Sequence, residues 1–82
     1  MNNDVVIFTA PGCTSCERTK AFLDEHEVLF VERSLAGDAG AMNELIALGA
    51  RRLPVVRIGD EMISGFDPAR LLALLGRAAE GG

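Results

Sequence analysis

Two thiols are the residues best equipped for chemistry: Cys13 and Cys16, the only cysteines of the chain, spaced as C-T-S-C. Such a pair can cycle between dithiol and disulfide, supply half of a metal site, or stand inert. A structural zinc ion asks for four ligands. The chain adds one histidine, His26, to its two cysteines, and the helical pattern places it at the far end of the following helix, where it reads as a favourable end charge. An iron–sulfur cluster or soft metal held through Cys13 in a dimer is the alternative that one C-x-x-C leaves open. Reversible thiol–disulfide exchange needs nothing that the sequence lacks.

The flanking pattern places the pair where a strand ends and a helix begins. Val5-Val6-Ile7-Phe8 is a continuous apolar, β-branched run of the kind found in a central strand buried on both faces. Ala10-Pro11-Gly12 ends it. From Thr14 to about His26 the pattern turns helical, with Thr19, Phe22, Leu23 and His26 at core spacing and Glu17, Arg18, Lys20, Asp24 and Glu25 opposite. Inside a regular helix, residues three apart hold their β-carbons roughly 5–6 Å apart, whereas a disulfide needs roughly 3.5–4.5 Å. Cys13 at the cap and Cys16 in the first turn satisfy the disulfide. Cys13 then faces the free N–H groups and positive end of the helix, which stabilise a thiolate and are expected to lower its pKa below that of a free thiol. Cys16, one turn in, is the more protected thiol. This geometry makes Cys13 the nucleophile and Cys16 the resolving residue.

The rest of the chain must support that junction. Val28-Leu29-Phe30-Val31 predicts a second strand running to about Arg33. Gly37-Asp38 offers a turn and N-cap for a second helix, with Met42, Leu45 and Ile46 as its apolar positions and Gly49 just past its end. Pro54 opens a third strand, Val55 to Ile58, and Gly59-Asp60 turns it back into a fourth, Glu61 to Ser64. Gly65 breaks that strand. Asp67-Pro68 is an N-cap followed by proline at the first helical position, and Leu71, Leu74, Leu75 and Ala78 line the last helix. The order β-α-β-α-β-β-α predicts an α/β fold: one mixed four-stranded sheet with helices packed on it, the first two strands parallel and the last two an antiparallel hairpin.

Bulk properties bound the function. At 82 residues and 49% hydrophobic, the chain is expected to form one domain over 1–82 with a real but small core. A formal charge of −4 with scattered basic residues offers no footprint for a phosphate backbone, so no nucleic-acid partner is expected. No apolar run approaches the ~20 residues that cross a bilayer, and no membrane partner is expected. Met1-Asn2-Asn3-Asp4 lacks the basic segment of a secretory signal. The expected compartment is a reducing cytosol, where a merely structural disulfide would not persist.

Cys13-Thr14-Ser15-Cys16, Leu53-Pro54-Val55-Val56 and Ser64-Gly65-Phe66-Asp67-Pro68 follow the order and spacing of motifs in the glutaredoxin family, which the sequence resembles over essentially its whole length. The resemblance implies a minimal thioredoxin fold, a protein or glutathione mixed disulfide as substrate, and no bound cofactor. It makes Pro54 a cis proline against the active-site cysteines, with the Leu53 backbone turned outward to pair with an extended substrate. Pro11, Gly12, Thr14, Leu53, Gly65, Phe66 and Asp67 are the implied substrate- or glutathione-binding residues. Two branches of the family differ in electron source. The Ser-Gly-Phe-x-Pro form resembles the NrdH-redoxins, which draw on thioredoxin reductase and NADPH, while Gly65 to Asp67 match in part the segment that holds glutathione in other members. Ala10 stands where both branches commonly carry lysine, Asp67 where NrdH-redoxins carry a basic residue, and Ile63 where they carry an aromatic one. Asp67 reads equally as a plain N-cap, and Phe66 as a docking aromatic or a core plug. Arg51 and Arg52 could fringe the site and attract an acidic partner, or be merely solvated. A monomer is expected.

Overall fold

The apolar run predicted to be central forms strand β1, Val5–Thr9, in the computed structural model, which describes residues 5–50 and 52–81 without the side chains of 77–81. Helix α1 follows (Thr14–Glu25), then β2 (Val31–Ser34), α2 (Ala39–Leu48), β3 (Val55–Ile58), β4 (Glu61–Ser64) and α3 (Pro68–Gly81). The sheet order is β2-β1-β3-β4. β1 pairs parallel with β2, through Val6 opposite Val31, and antiparallel with β3, through Ile7 opposite Val56. β3 and β4 form the predicted hairpin, turning at Gly59, whose φ of +60° suits glycine.

Alternation along the strands divides the core between the two faces of the sheet. Val5, Ile7, Val56, Ile58 and Ile63 point to one face, where Leu23 of α1 and Leu71 and Leu74 of α3 close over them. Phe8 and Val55 point to the other and meet Ala41 and Leu45 of α2. That second face is finished with charge. Arg33 of β2 and Arg57 of β3 both pair with Glu44 of α2, and the Arg33 guanidinium lies 5.4 Å from the centre of the Phe8 ring.

Three sequence expectations are corrected. The second strand starts at Val31 rather than Val28, because its register is fixed by pairing with β1 and not by local β-propensity. Residues 26–28 complete the end of α1 instead: Glu27 is left-handed (φ 56°) and the Val28 N–H returns to the Leu23 carbonyl at 2.9 Å. Val28 and Phe30 still pack on the core, while Leu29 is 85% exposed. In α2 the buried positions are Ala41 and Leu45; Met42 and Ile46 face solvent. This helix is apolar nearly all round, so its composition did not say which stripe faces the sheet. His26 is exposed rather than on the core side; its Nδ1 donates to the Phe22 carbonyl at 2.9 Å and its ring lies over Phe22. The side chain of Ala78 lies outside the described residues. Among the described residues no helix is long and apolar enough to cross a membrane.

Candidate functional site

The chain leaves β1 through a tight turn made by Ala10-Pro11-Gly12-Cys13. The Cys13 N–H donates to the Ala10 carbonyl at 3.3 Å, and Gly12 has a φ of +78°. Proline second and a left-handed glycine third are the residues that this turn geometry favours. The turn delivers Cys13 in extended conformation (φ −90°, ψ 102°) to the N-cap of α1. Its carbonyl accepts the first helical bond from Glu17 at 3.2 Å, and its sulfur accepts the N–H of Cys16 at 3.1 Å. Cys16 is fully buried, Cys13 half-buried, and Pro11, Gly12 and Thr14 are exposed around it. The two cysteines are joined in a disulfide with their α-carbons 5.2 Å apart. The pair thus has one sulfur on a half-buried residue, accepting a helix N–H, and one on a fully buried residue behind it.

A polar brace backs the junction. Thr9, the buried last residue of β1, donates its hydroxyl to Glu32 at 2.8 Å, and Lys20 of α1 donates to the same carboxylate at 3.1 Å. The Thr9 hydroxyl and, second, Lys20 hold the Glu32 carboxyl below its ordinary pKa. Glu32 and, second, Glu17 raise that of Lys20. This brace ties β1, α1 and β2 together just behind the turn. Sequence reading passed over Thr9 and Glu32; a lone threonine ending a buried strand was the available signal.

Pro54 immediately precedes β3, beside the end of β1, since Val55 pairs with Phe8. The Leu53–Pro54 bond is cis, as the resemblance implies, and Pro54 is buried. The 52–54 and 64–65 segments are held together by two hydrogen bonds: Gly65 N–H to the Pro54 carbonyl at 2.7 Å, and Ser64 hydroxyl to the Arg52 carbonyl at 2.9 Å. Among the described residues, neither the N–H nor the carbonyl of Leu53 joins a backbone hydrogen bond. All three motifs therefore meet at one end of the sheet. Phe66 settles on the side of a plug: it is half-buried against the core and sits edge-on to Phe22 of α1, 5.8 Å between ring centres. Asp67 caps α3, accepting the Arg70 N–H at 3.2 Å. Arg52 is exposed beside Gly65, and Arg51 lies outside the described residues. Among the described residues no group of three or more His, Cys, Asp or Glu side chains is arranged to hold a metal ion.

A four-stranded mixed sheet with a C-x-x-C at the strand-to-helix junction and a cis proline on the neighbouring strand defines a thioredoxin-fold thiol–disulfide oxidoreductase. Comparison with known proteins narrows this further. The glutaredoxin family model matches residues 5–63, and the chain belongs to the glutaredoxin family. The glutaredoxin-like protein NrdH of Lactococcus lactis is 31% identical over 70 residues, spanning 85% of this chain and 97% of that one. The NrdH-redoxin of Escherichia coli, a glutaredoxin-like protein with a thioredoxin-like activity profile, superposes with a TM-score of 0.81 at 32% identity, covering 87% of this chain and 93% of the other. The global transcriptional regulator Spx of Bacillus subtilis is 42% identical over 41 residues, which are 50% of this chain but only 31% of Spx. The likeness thus points to the glutaredoxin-like, NrdH-type branch.

Proposed function

We propose that the protein reduces disulfides of other proteins, with Cys13 attacking and Cys16 resolving. The observation that carries these roles is the cap: an accessible Cys13 sulfur accepting a helix N–H, above a buried Cys16. In the reduced form the Cys13 thiolate attacks one sulfur of the target disulfide; a mixed disulfide forms and the other target sulfur leaves as thiolate. Cys16 then loses its proton and attacks the Cys13 sulfur. The mixed disulfide breaks, the second target thiolate leaves, and two electrons have passed from the dithiol to the target. Leu53 offers its backbone N–H and carbonyl to an extended target segment, with Pro11, Gly12, Thr14 and Gly65 at the rim. Pro54 seats that segment at the cysteine end of the sheet, and Phe66 and Asp67 hold the loop that carries Gly65.

The proposed electron source is a flavoprotein of the thioredoxin reductase kind with NADPH, in preference to glutathione. Two things support it: the likeness to NrdH-redoxins, and Ala10 in place of a cation beside Cys13. Asp67, engaged as a cap, adds no positive charge for a tripeptide carboxylate. The proposed setting is a monomer in a reducing cytosol. The test compares the rates at which oxidised protein is reduced by glutathione and by thioredoxin reductase with NADPH; fast reduction by glutathione alone would reverse the assignment. In parallel, Cys16→Ser should accumulate a mixed disulfide with substrate, resolved by mass spectrometry. An adduct on Cys13→Ser instead would exchange the two roles.

A further inference from the structure

The cation at the substrate rim has no assigned role. Arg52 precedes Leu53, and its side chain lies across Gly65. The point at which a β-carbon on Gly65 would stand is 3.0 Å from Arg52 Cδ and 3.7 Å from Nη1. Gly65 is buried with a φ of +83°, so a side chain there would be strained as well as crowded. The Arg52 backbone is fixed by the Ser64 hydroxyl on its carbonyl, and the neighbouring Pro54 carbonyl by the Gly65 N–H. The arginine stem therefore rests on the surface of Gly65, with Nη1 over the same glycine, and Arg52 directly precedes Leu53.

Its charge is also unspent. Arg33 meets Asp38 and Glu44, Arg57 meets Glu44, and Arg70 meets Glu61. Among the described residues no carboxylate stands within ion-pair distance of Arg52. In a chain of formal charge −4, an arginine held at the rim and left without a carboxylate supplies a local positive site against an acidic background. Its planar fork suits a carboxylate.

We infer that Arg52 is a specificity-determining residue that selects protein disulfides flanked by an acidic side chain. An extended target segment pairing with Leu53 brings residues next to its cysteine past the guanidinium, and Asp or Glu there meets it. The inference rests on the proposed reading of the site as a protein-disulfide reductase.

The test uses two synthetic disulfide peptides that differ only in Glu or Lys beside the cysteine, with oxidised glutathione as a third probe, at low and high salt. Wild type should reduce the Glu peptide about fivefold faster in kcat/KM than the Lys peptide, with the ratio shrinking in high salt, as befits an exposed ion pair. Arg52→Glu should reverse the order, and Arg52→Lys should keep it. Each ratio is taken on one protein, so a variant that folds poorly lowers both rates and leaves the ratio readable. One common ratio in all three proteins overturns the inference alone. Reduction of neither peptide by any of them overturns the parent reading together with it. A loss confined to oxidised glutathione assigns the contact to that tripeptide and overturns selection of protein segments.

Discussion

At the start of α1 the Cys13 side chain accepts the N–H of Cys16 at 3.1 Å; at the start of α2 the Asp38 side chain accepts the N–H of Ala41, also at 3.1 Å. Both capping residues are extended, and both engage the N–H three residues on. Their surroundings differ. Arg33 grips the Asp38 carboxylate with two bonds, at 2.9 and 3.3 Å, and holds its carboxyl below the ordinary pKa. Ala10 stands close to Cys13 where a cation could have been, and the cap turn is built from Pro11 and Gly12. The clamped cap is structural and permanent. The unclamped one can release its helix to bond another sulfur, so the same local motif becomes chemistry when its acceptor is reactive, accessible and free to leave.

The sharpest way to break this comparison is Cys13→Ser. A serine hydroxyl accepts the same N–H, so α1 should start where it does now and stability should stay within about 1 kcal/mol of the reduced wild type. Disulfide reduction should fall below detection, because the hydroxyl is no nucleophile towards sulfur. Thermal melts and a disulfide-reduction assay on one preparation check both halves. A variant that kept measurable activity would remove Cys13 from the reaction; one that unfolded would make the cysteine structural.

Asp38→Ala tests the other cap and should give the reverse pattern. The melting temperature falls, since α2 loses both its cap and the carboxylate that orients Arg33, while kcat/KM per folded molecule stays within about twofold of wild type. Asp38→Asn should recover part of the loss by restoring the cap without the charge. Loss of activity in a folded Asp38→Ala protein would show the two caps to be coupled through the sheet.

The same contrast explains what the sequence made legible. Cys13, Asp38 and Asp67 were readable as caps because capping is local: a side-chain acceptor, an adjoining turn, then a helical pattern. The strand-to-helix placement of the C-x-x-C and the Gly59-Asp60 hairpin were readable for the same reason. The start of β2 was not, because a parallel register answers to the strand beside it rather than to Val28-Leu29-Phe30. Nor was the buried stripe of α2, where Ala41 and Leu45 compete with the equally apolar Met42 and Ile46. The site divides likewise. The cysteines, Pro54 and Gly65 stood out as motifs, whereas the Thr9–Glu32–Lys20 brace and the Arg52–Gly65 contact join residues far apart in the chain and appear only once the sheet is assembled.

Acid titration sharpens the comparison at its smallest scale. In the oxidised protein Cys13 cannot ionise, so the cap of α1 contributes nothing to the pH dependence of stability. Asp38 and Glu32 do. The folded-state pKa of Asp38 is lowered chiefly by the Arg33 hydrogen bonds, and that of Glu32 by the Thr9 hydroxyl and then Lys20. A carboxyl whose folded pKa lies below its unfolded value stabilises the fold above the unfolded pKa. That contribution is lost as pH falls through the folded one, because the unfolded chain then binds its proton first. The loss should therefore begin near pH 4 to 5, about the ordinary carboxylate range, and deepen below it. Denaturant midpoints of the oxidised protein between pH 6 and pH 3 should fall with a slope that Asp38→Asn and Glu32→Gln each flatten, and that Thr9→Val flattens through Glu32 alone. Both carboxylates are at least partly open to solvent, so each change is small, and high salt should shrink the Arg33–Asp38 part further. An unchanged slope in Asp38→Asn would mean that Arg33 does not hold that cap ionised, and the distinction between a clamped and an unclamped helix start would then rest on accessibility alone.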